Sequence, residues 1–249
     1  MTVFFIGAGP GDPDLITVKG QRLIRTCPVI IYAGSLVPEA VLQGHQTVQV
    51  TNSAELHLEQ IIALMKSAHA QGRDIARVHS GDPSLYGAIG EQIRRLRELD
   101  IPFEIIPGVT ATAACAALLG AELTLPDISQ SVILTRYADK TVMPVGEELG
   151  ELARHRATMA IHLGVNNLSK IVAELIPHYG EDCPIAVVHR ASWPDQDWVV
   201  GKLTDIEEKV AAKGFRRTAL ILVGRVLGSD VFSDSSLYRA GHAHVFRRG

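Results

Sequence analysis

The sequence predicts an α/β protein of two domains, with a mostly parallel sheet in the first and a mixed sheet in the second. Three observations carry this expectation. Over residues 1–120, β-rich runs alternate with helical stretches, the pattern of a parallel sheet with helices on its faces. The alternation breaks around residues 121–129, where Leu125-Pro126-Asp127 interrupts it. Further on, Asp195 and Gln196 sit between two β-rich runs, the signal of an antiparallel hairpin. The domains are accordingly placed at 1–120 and 121–228, followed by a tail at 229–249 that is rich in Ser, Asp, Arg, His and Gly and has little periodicity.

In the first domain, 3–7 is a short β-rich run that ends in glycines. Leu15, Val18, Leu23 and Ile24 then recur at roughly helical spacing. Residues 29–33 form a second strand. From 55 to 70, Leu58, Ile61, Ile62 and Met65 make an i, i+3, i+4, i+7 stripe, the mark of an amphipathic helix. A third strand covers 75–79, a helix runs over about 86–99, a fourth strand covers 103–106, and an Ala-rich helix extends from 109 to about 119. The second domain reads as strand 131–136, helix 147–155, strand 158–163, helix 166–179, strands 185–190 and 197–202, helix 204–212 and strand 218–224. No internal repeat is present.

Composition excludes several classes. The chain has 249 residues, 47% hydrophobic and 20% charged, which excludes disorder or a coiled coil as a description of the whole. The net charge of −3 argues against a general nucleic-acid binder, although a local basic patch can still oppose the global sign. Cys27, Cys115 and Cys183 are too far apart for a disulfide framework or a CxxC metal pattern, and they read as thiols of a reducing compartment. The N-terminus lacks the basic start and apolar length of a signal peptide. The longest uncharged run, 105–121, holds 17 residues with Pro107 and Gly108 inside it, short of a membrane span. A cytoplasmic protein without a membrane partner is expected.

Three segments could carry chemistry, and each follows a strand. The first is Gly7-Ala8-Gly9-Pro10-Gly11-Asp12-Pro13. A dinucleotide fingerprint would need a third glycine where Asp12 stands, and a P-loop would need a lysine that is missing. Read alone, the segment is equally well a tight turn before a proline-started helix. The second is His79-Ser80-Gly81-Asp82-Pro83-Ser84-Leu85-Tyr86-Gly87, in which Asp82 either accepts from ribose hydroxyls or an amino group, or caps the next helix. The third is Pro107-Gly108-Val109-Thr110-Ala111, whose small residues open a helix with free N–H groups. Three small-residue turns at three strand ends imply a cleft lined by backbone groups. Spacing alone does not name its ligand.

Together the three segments resemble the tetrapyrrole methylase family, methyltransferases that use S-adenosylmethionine. Residues 7–17 match a G-x-G-P-G-D-P-x-L-[IL]-T pattern, 81–87 a G-D-P-x-x-[YF]-[GS] pattern and 107–111 a P-G-[VI]-[TS]-[SA] pattern, in order, and the resemblance extends over about residues 1–227. Within the family, residues 32–37, 78–83, 125–127, 132–136 and 191–195 are similar to the branch that methylates a precorrin in cobalamin biosynthesis. The resemblance implies a homodimer of two α/β domains with a folded cofactor held in a cleft between them and a substrate trough alongside. It places cofactor contacts at Pro10, Ser80, Gly81, Asp82, Thr110 and Ala111 and, from strand position in the second domain, at Leu163 and Ala219. Tyr86 is either a wall of this pocket or a core tyrosine. The resemblance also implies that the 9–13 turn, with Asp12, borders the substrate trough.

The implied chemistry needs alignment of a ring carbon, the methyl group and the sulfur, so no residue is singled out as a catalytic base and no metal is required. The substrate carries several carboxylates, and Arg136 is the candidate to bind one, against the alternative of a solvated surface arginine. Arg94, Arg95 and Arg97 read as an outward helix face. His242 and His244 form an isolated H-x-H without a third ligand, too little for a metal site. The competing expectations are another corrin position or uroporphyrinogen III as substrate, an RNA or diphthamide methyltransferase, an inactive cofactor-binding partner and, weakest, a dinucleotide oxidoreductase.

Overall fold

The computed structural model describes residues 1–46, 49–138 and 141–235. His242 and His244, with most of the 229–249 tail, lie outside the described residues. Contacts divide the chain into two compact units: Met1–Ala114 together with Arg190–Asp195, and Cys115–His189 together with residues 196–249.

The first unit is built on strands β1 (Val3–Gly7), β2 (Val29–Tyr32), β3 (Gln49–Asn52), β4 (Ile75–His79) and β5 (Phe103–Ile106), all parallel, in the order β3-β2-β4-β1-β5. Helices α1 (Val18–Thr26), α2 (Leu58–Ala70) and α3 (Gly90–Glu98) connect them, and α4 (Ala111–Leu118) follows β5. A parallel sheet covered on both faces needs nearly continuous apolar strands, and β2 and β4 are buried along their whole lengths. Pleat alternation separates two cores. Ile6, Ile30, Ala76 and Val78 pack with Ile24 of α1, while Phe5, Ile31 and Ile75 pack with Ile61 and Met65 of α2 and Leu96 of α3. Each fully buried Ile or Leu contributes ~1.5–3 kcal/mol.

Several local expectations are corrected. The third strand of the chain is β3, an edge strand that the sequence reading passes over because its residues are only alternately covered. Leu15 and Val18 do not belong to a buried stripe: Leu15 ends a 3-10 turn that Asp12 caps, and Val18 is 84% exposed at the first position of α1. The helix expected from residue 86 starts at Gly90, because Tyr86 and Ala88 hold left-handed backbone angles. Arg94, Arg95 and Arg97 do face outward around the buried Leu96.

The second unit contains β6 (Val132–Arg136), β7 (Thr158–His162), β8 (Pro184–His189), β9 (Asp197–Lys202) and β10 (Ala219–Val223), in the order β6-β7-β10-β8-β9. Only β6 and β7 pair in parallel; the other pairs are antiparallel, so the sheet is mixed as expected. Helices α5 (Leu149–Ala153), α6 (Leu168–Tyr179) and α7 (Ile206–Lys213) cover one face, where Met159, Ile161, Ile171, Leu175, Ile185 and Ile221 are fully buried. β8 and β9 form the anticipated antiparallel pair. Among the described residues, no helix is long and apolar enough to cross a membrane.

Candidate functional site

The three small-residue turns leave the carboxyl ends of adjacent strands β4, β1 and β5, the edge at which open α/β sheets bind ligands. They touch backbone to backbone. Gly9 and Gly81 exchange two main-chain hydrogen bonds, at 3.3 and 2.7 Å, and the Ala8 N–H donates to the His79 carbonyl at 2.7 Å. A Cβ on Gly7 would fall 2.6 Å from the Gly108 Cα, and one on Gly108 would fall 2.1 Å from the Gly81 carbonyl oxygen. Glycine is needed at 7 and 108 because side chains there would occupy neighbouring backbone.

Asp82 joins two of the turns. Its Oδ1 accepts from the Ser84 N–H at 2.8 Å and its Oδ2 from the Gly108 N–H at 2.9 Å. Each carboxylate oxygen keeps acceptor capacity, so the staple leaves Asp82 able to bind a hydroxyl or ammonium group. Ser80, Gly81, Thr110 and Ala111 are half-buried around it, and the Thr110 Oγ1 accepts from the Ala113 N–H at the start of α4. Pro10 is buried, and Asp12 turns its Oδ1 to the Asp14 N–H at 2.9 Å. Tyr86 is 46% exposed, which removes the core-tyrosine reading.

In the second unit, the β7–β10 register pairs Ile161 with Ile221, so two residues further along Leu163 and Ala219 come to the same end of that sheet. Leu163 is 70% exposed with φ +56°, an apolar side chain held in the left-handed region just past its strand. Arg136 ends β6 beside His162, but its guanidinium donates to the carbonyls of Tyr137, Thr141 and Val142 at 3.4, 3.0 and 3.2 Å. Those bonds make it the anchor of the following loop.

Backbone strain concentrates at these turns. Of nine non-glycine residues with positive φ among the described residues, six (Tyr86, Ala88, Leu163, Arg190, Ser192 and Thr218) lie in segments that follow or precede the strand ends described above. Such angles cost ~1–3 kcal/mol each and persist where surrounding contacts over-determine them.

Two features escaped the sequence reading. The first is the packing of the strap Arg190–Asp195, whose residues 191–195 the sequence marks only as a family cue, within the first unit. The Trp193 indole N–H donates to the Pro10 carbonyl at 2.8 Å, and the Asp12 N–H donates to the Ser192 Oγ at 3.0 Å. The second is a buried basic pair beneath the Gly81 turn. Arg77, 4% exposed, donates to Gln92, Ser53 and the Ile31 carbonyl, and desolvation lowers its pKa to about 10, so it stays charged at neutral pH. His79 stacks against Phe5, and its buried Nε2 has no hydrogen-bond partner among the described residues. Burial first, and then the Arg77 charge, push its pKa from 6.5 to about 3. Burial likewise lowers His162 to about 4.

Both imidazoles are therefore neutral in the folded protein and gain a proton more readily when unfolded. The unfolded chain binds more protons below pH 6.5, so stability is fully present above that pH and falls as the medium is acidified toward pH 4. Each histidine should contribute up to about 1.4 kcal/mol per pH unit to that slope. Urea unfolding at a series of pH values checks this, and His79→Phe should flatten the curve. An unchanged slope in that variant would remove His79 as a cause.

The site offers backbone groups, one carboxylate and hydroxyls. Cys27, Cys115 and Cys183 are free and buried, with burial raising their pKa values to about 12, 12 and 11, so they offer no thiolate nucleophile. Among the described residues, no group of three or more His, Cys, Asp or Glu is placed to hold a metal ion.

Residues 2–207 match the family model of tetrapyrrole (corrin/porphyrin) methylases. The chain is 74% identical to the precorrin-4 C(11)-methyltransferase of Pseudomonas aeruginosa over the full length of both. It is 50% identical to the cobalt-precorrin-4 C(11)-methyltransferase of Methanocaldococcus jannaschii, over 99% of this chain and 96% of that one. Among solved structures, a cobalt precorrin-4 methyltransferase of cobalamin biosynthesis superposes with a TM-score of 0.89 at 41% identity, covering 92% of this chain and 96% of the other. A uroporphyrin-III C-methyltransferase from Thermus thermophilus, complexed with S-adenosylhomocysteine, superposes with a TM-score of 0.76 at 28% identity over 92% and 94% of the two chains.

Proposed function

The chain belongs to the tetrapyrrole (corrin/porphyrin) methylases, and from that premise we propose that it transfers a methyl group from S-adenosylmethionine to C-11 of precorrin-4, giving precorrin-5 and S-adenosylhomocysteine in cobalamin biosynthesis. The observation that carries this reading is the 74% identity, end to end, with an enzyme named for that reaction. The cytoplasm and a homodimer are the setting we infer for it, with no nucleic acid or membrane as partner.

The residues fit the cofactor. Three strand-end turns of small residues let a ligand approach main-chain groups closely, and Asp82 supplies a fixed negative acceptor beside them. We assign Pro10, Ser80, Gly81, Asp82, Tyr86, Thr110 and Ala111 to cofactor binding, and Leu163 and Ala219 on the family resemblance alone. When bound, the sulfonium supplies an already activated methyl group. The chain's own task is orientation, and alignment of reacting atoms can account for ~7–11 kcal/mol of barrier lowering. Asp12 is assigned to the edge of the substrate site. Arg136 stays a candidate there only if a carboxylate displaces one of its three carbonyl partners.

Two measurements test the reading. Incubation with precorrin-4 and S-adenosylmethionine, followed by mass and NMR analysis of the product, should show one new methyl at C-11; a methyl at another carbon would overturn the assignment. A parallel arm with cobalt-precorrin-4 is warranted because the archaeal relative is named for the cobalt form. In calorimetry, Asp82→Ala should weaken S-adenosylhomocysteine binding at least about tenfold, because it removes a charged acceptor and orphans the Gly108 N–H. Asp82→Asn, which keeps an acceptor oxygen, should lose less. Wild-type affinity in Asp82→Ala would take Asp82 out of the site.

A further inference from the structure

A tetrapyrrole bearing several carboxylates needs a cation at the site, and the net charge of −3 means that a local one must supply it. Two other arginines, one inside β4 and one at the end of β6, are already engaged. Arg77 is buried among neutral partners, and Arg136 holds three carbonyls of its own loop. The third, Arg190, is placed differently. Its guanidinium carbon lies 4.0 Å from the centre of the Trp193 ring, and its Nη1 pairs with the Asp195 Oδ2 at 2.5 Å. The side chain is 31% exposed.

The ring beneath it is itself fixed to the glycine turn. Trp193 donates to the Pro10 carbonyl, Ser192 accepts from Asp12, and a Cβ on Gly11 would fall 2.2 Å from the Trp193 Cδ1. Arg190 and Ser192 both sit at positive φ, +48° and +69°. A strap held against its backbone preference by two hydrogen bonds to the 10–12 turn is a rigid mount, and what it mounts, stacked on Trp193, is a planar cation. The stack on Trp193 and the bond to Asp195 restrict the rotamers of a side chain that would otherwise give up conformational freedom on binding a ligand. Nη1 is the atom that Asp195 takes, and a carboxylate would meet Nε and Nη2, for which no bond is present among the described residues, in a forked contact.

We propose that Arg190 binds a carboxylate of the tetrapyrrole, with Trp193, itself bonded to the Pro10 carbonyl, as the positioning residue on which the guanidinium stacks. This assignment rests on the reading of the substrate as a tetrapyrrole polycarboxylate. It makes the strap a determinant of substrate affinity, distinct in its effect from the groups that hold the cofactor.

The test compares wild type with Arg190→Gln, Arg190→Lys and Trp193→Phe. Methyl transfer to precorrin-4 is followed across substrate concentrations, and binding of uroporphyrin, a stable tetrapyrrole polycarboxylate, is followed by its fluorescence. Arg190→Gln should raise KM roughly ten- to a hundred-fold and weaken uroporphyrin binding to match, the loss expected for a charge-assisted bond, with a much smaller change in kcat. Its affinity for S-adenosylhomocysteine should stay within about twofold of wild type, which also reports that the variant folds. Arg190→Lys restores the charge without the fork and should recover part of the loss. Trp193→Phe keeps an aromatic face but drops the bond to Pro10, and should raise KM several-fold. Wild-type KM and uroporphyrin affinity in Arg190→Gln would overturn the assignment. If wild type binds uroporphyrin through Arg190 but transfers no methyl to precorrin-4, the proposed reaction fails and the carboxylate site stands.

Discussion

Gly108→Ala is expected to cost ~1–3 kcal/mol of stability and most of the affinity for S-adenosylhomocysteine. The new methyl would lie 2.1 Å from the Gly81 carbonyl oxygen, 2.8 Å from the Gly7 Cα and 2.9 Å from the Gly7 carbonyl carbon. All three atoms are backbone, so no side chain can rotate away, and relief requires the turns after β1, β4 and β5 to separate. Separation strains the bond from the Gly108 N–H to Asp82 and the paired bonds between Gly9 and Gly81. The same displacement that relieves the overlap therefore spoils the ligand-facing edge. Gly90→Ala is the control: nothing lies within 4 Å of its added methyl, it occupies the first position of α3, and it should be neutral or stabilising by up to ~1 kcal/mol. Thermal unfolding and calorimetry on both variants decide it. Gly108→Ala with wild-type melting and binding would show that the three turns can move apart freely.

That contrast also shows what the sequence could and could not disclose. The strands are legible because buried parallel strands favour β-branched runs, and Val29-Ile30-Ile31 is one. The turns are legible because Gly, Pro and Asp cluster after each run, and their shared pattern marks the family. Why a glycine is sterically compelled is not legible: the Pro-Gly motif marks Gly108, and only the approach of the Gly81 carbonyl shows what a side chain there would meet. The late start of α3 has the same origin. Nothing in Tyr86-Gly87-Ala88 forbids a helix locally, but the fold holds Tyr86 and Ala88 in left-handed angles. The strap was visible as a segment typical of the family, yet its partners, Pro10 and Asp12, lie about 180 residues earlier, a separation no periodicity bridges. Arg77 was hidden for a further reason. A charged residue inside an apolar strand reads as an outward position, and only its neutral partners from three other segments make burial tolerable.

Those partners make Arg77→Ala the second large effect, an expected loss of ~3 kcal/mol or more. The change removes donors from the Gln92 Oε1, the Ser53 Oγ and the Ile31 carbonyl, and leaves a cavity between β4, α2 and α3. Each buried acceptor left without its donor costs ~1–3 kcal/mol. Arg77→Met separates the two contributions. It fills much of the volume and abolishes the buried charge, whose desolvation is itself unfavourable, so it should destabilise clearly less than Arg77→Ala. The network also reaches the site, because Gln92 donates onward to the Ala88 carbonyl in the strained stretch after Tyr86. Loss of Arg77 frees Gln92 to turn, so the 86–88 stretch should loosen and amide exchange there should quicken even in Arg77→Met. Loss of the neighbouring positive charge should at the same time let His79 take up a proton at higher pH, which shrinks the acid-side fall in stability. Denaturant melts at pH 7 and pH 5, read beside hydrogen exchange, would sink the account if Arg77→Met and Arg77→Ala proved equally unstable or if the pH dependence of Arg77→Met matched that of wild type.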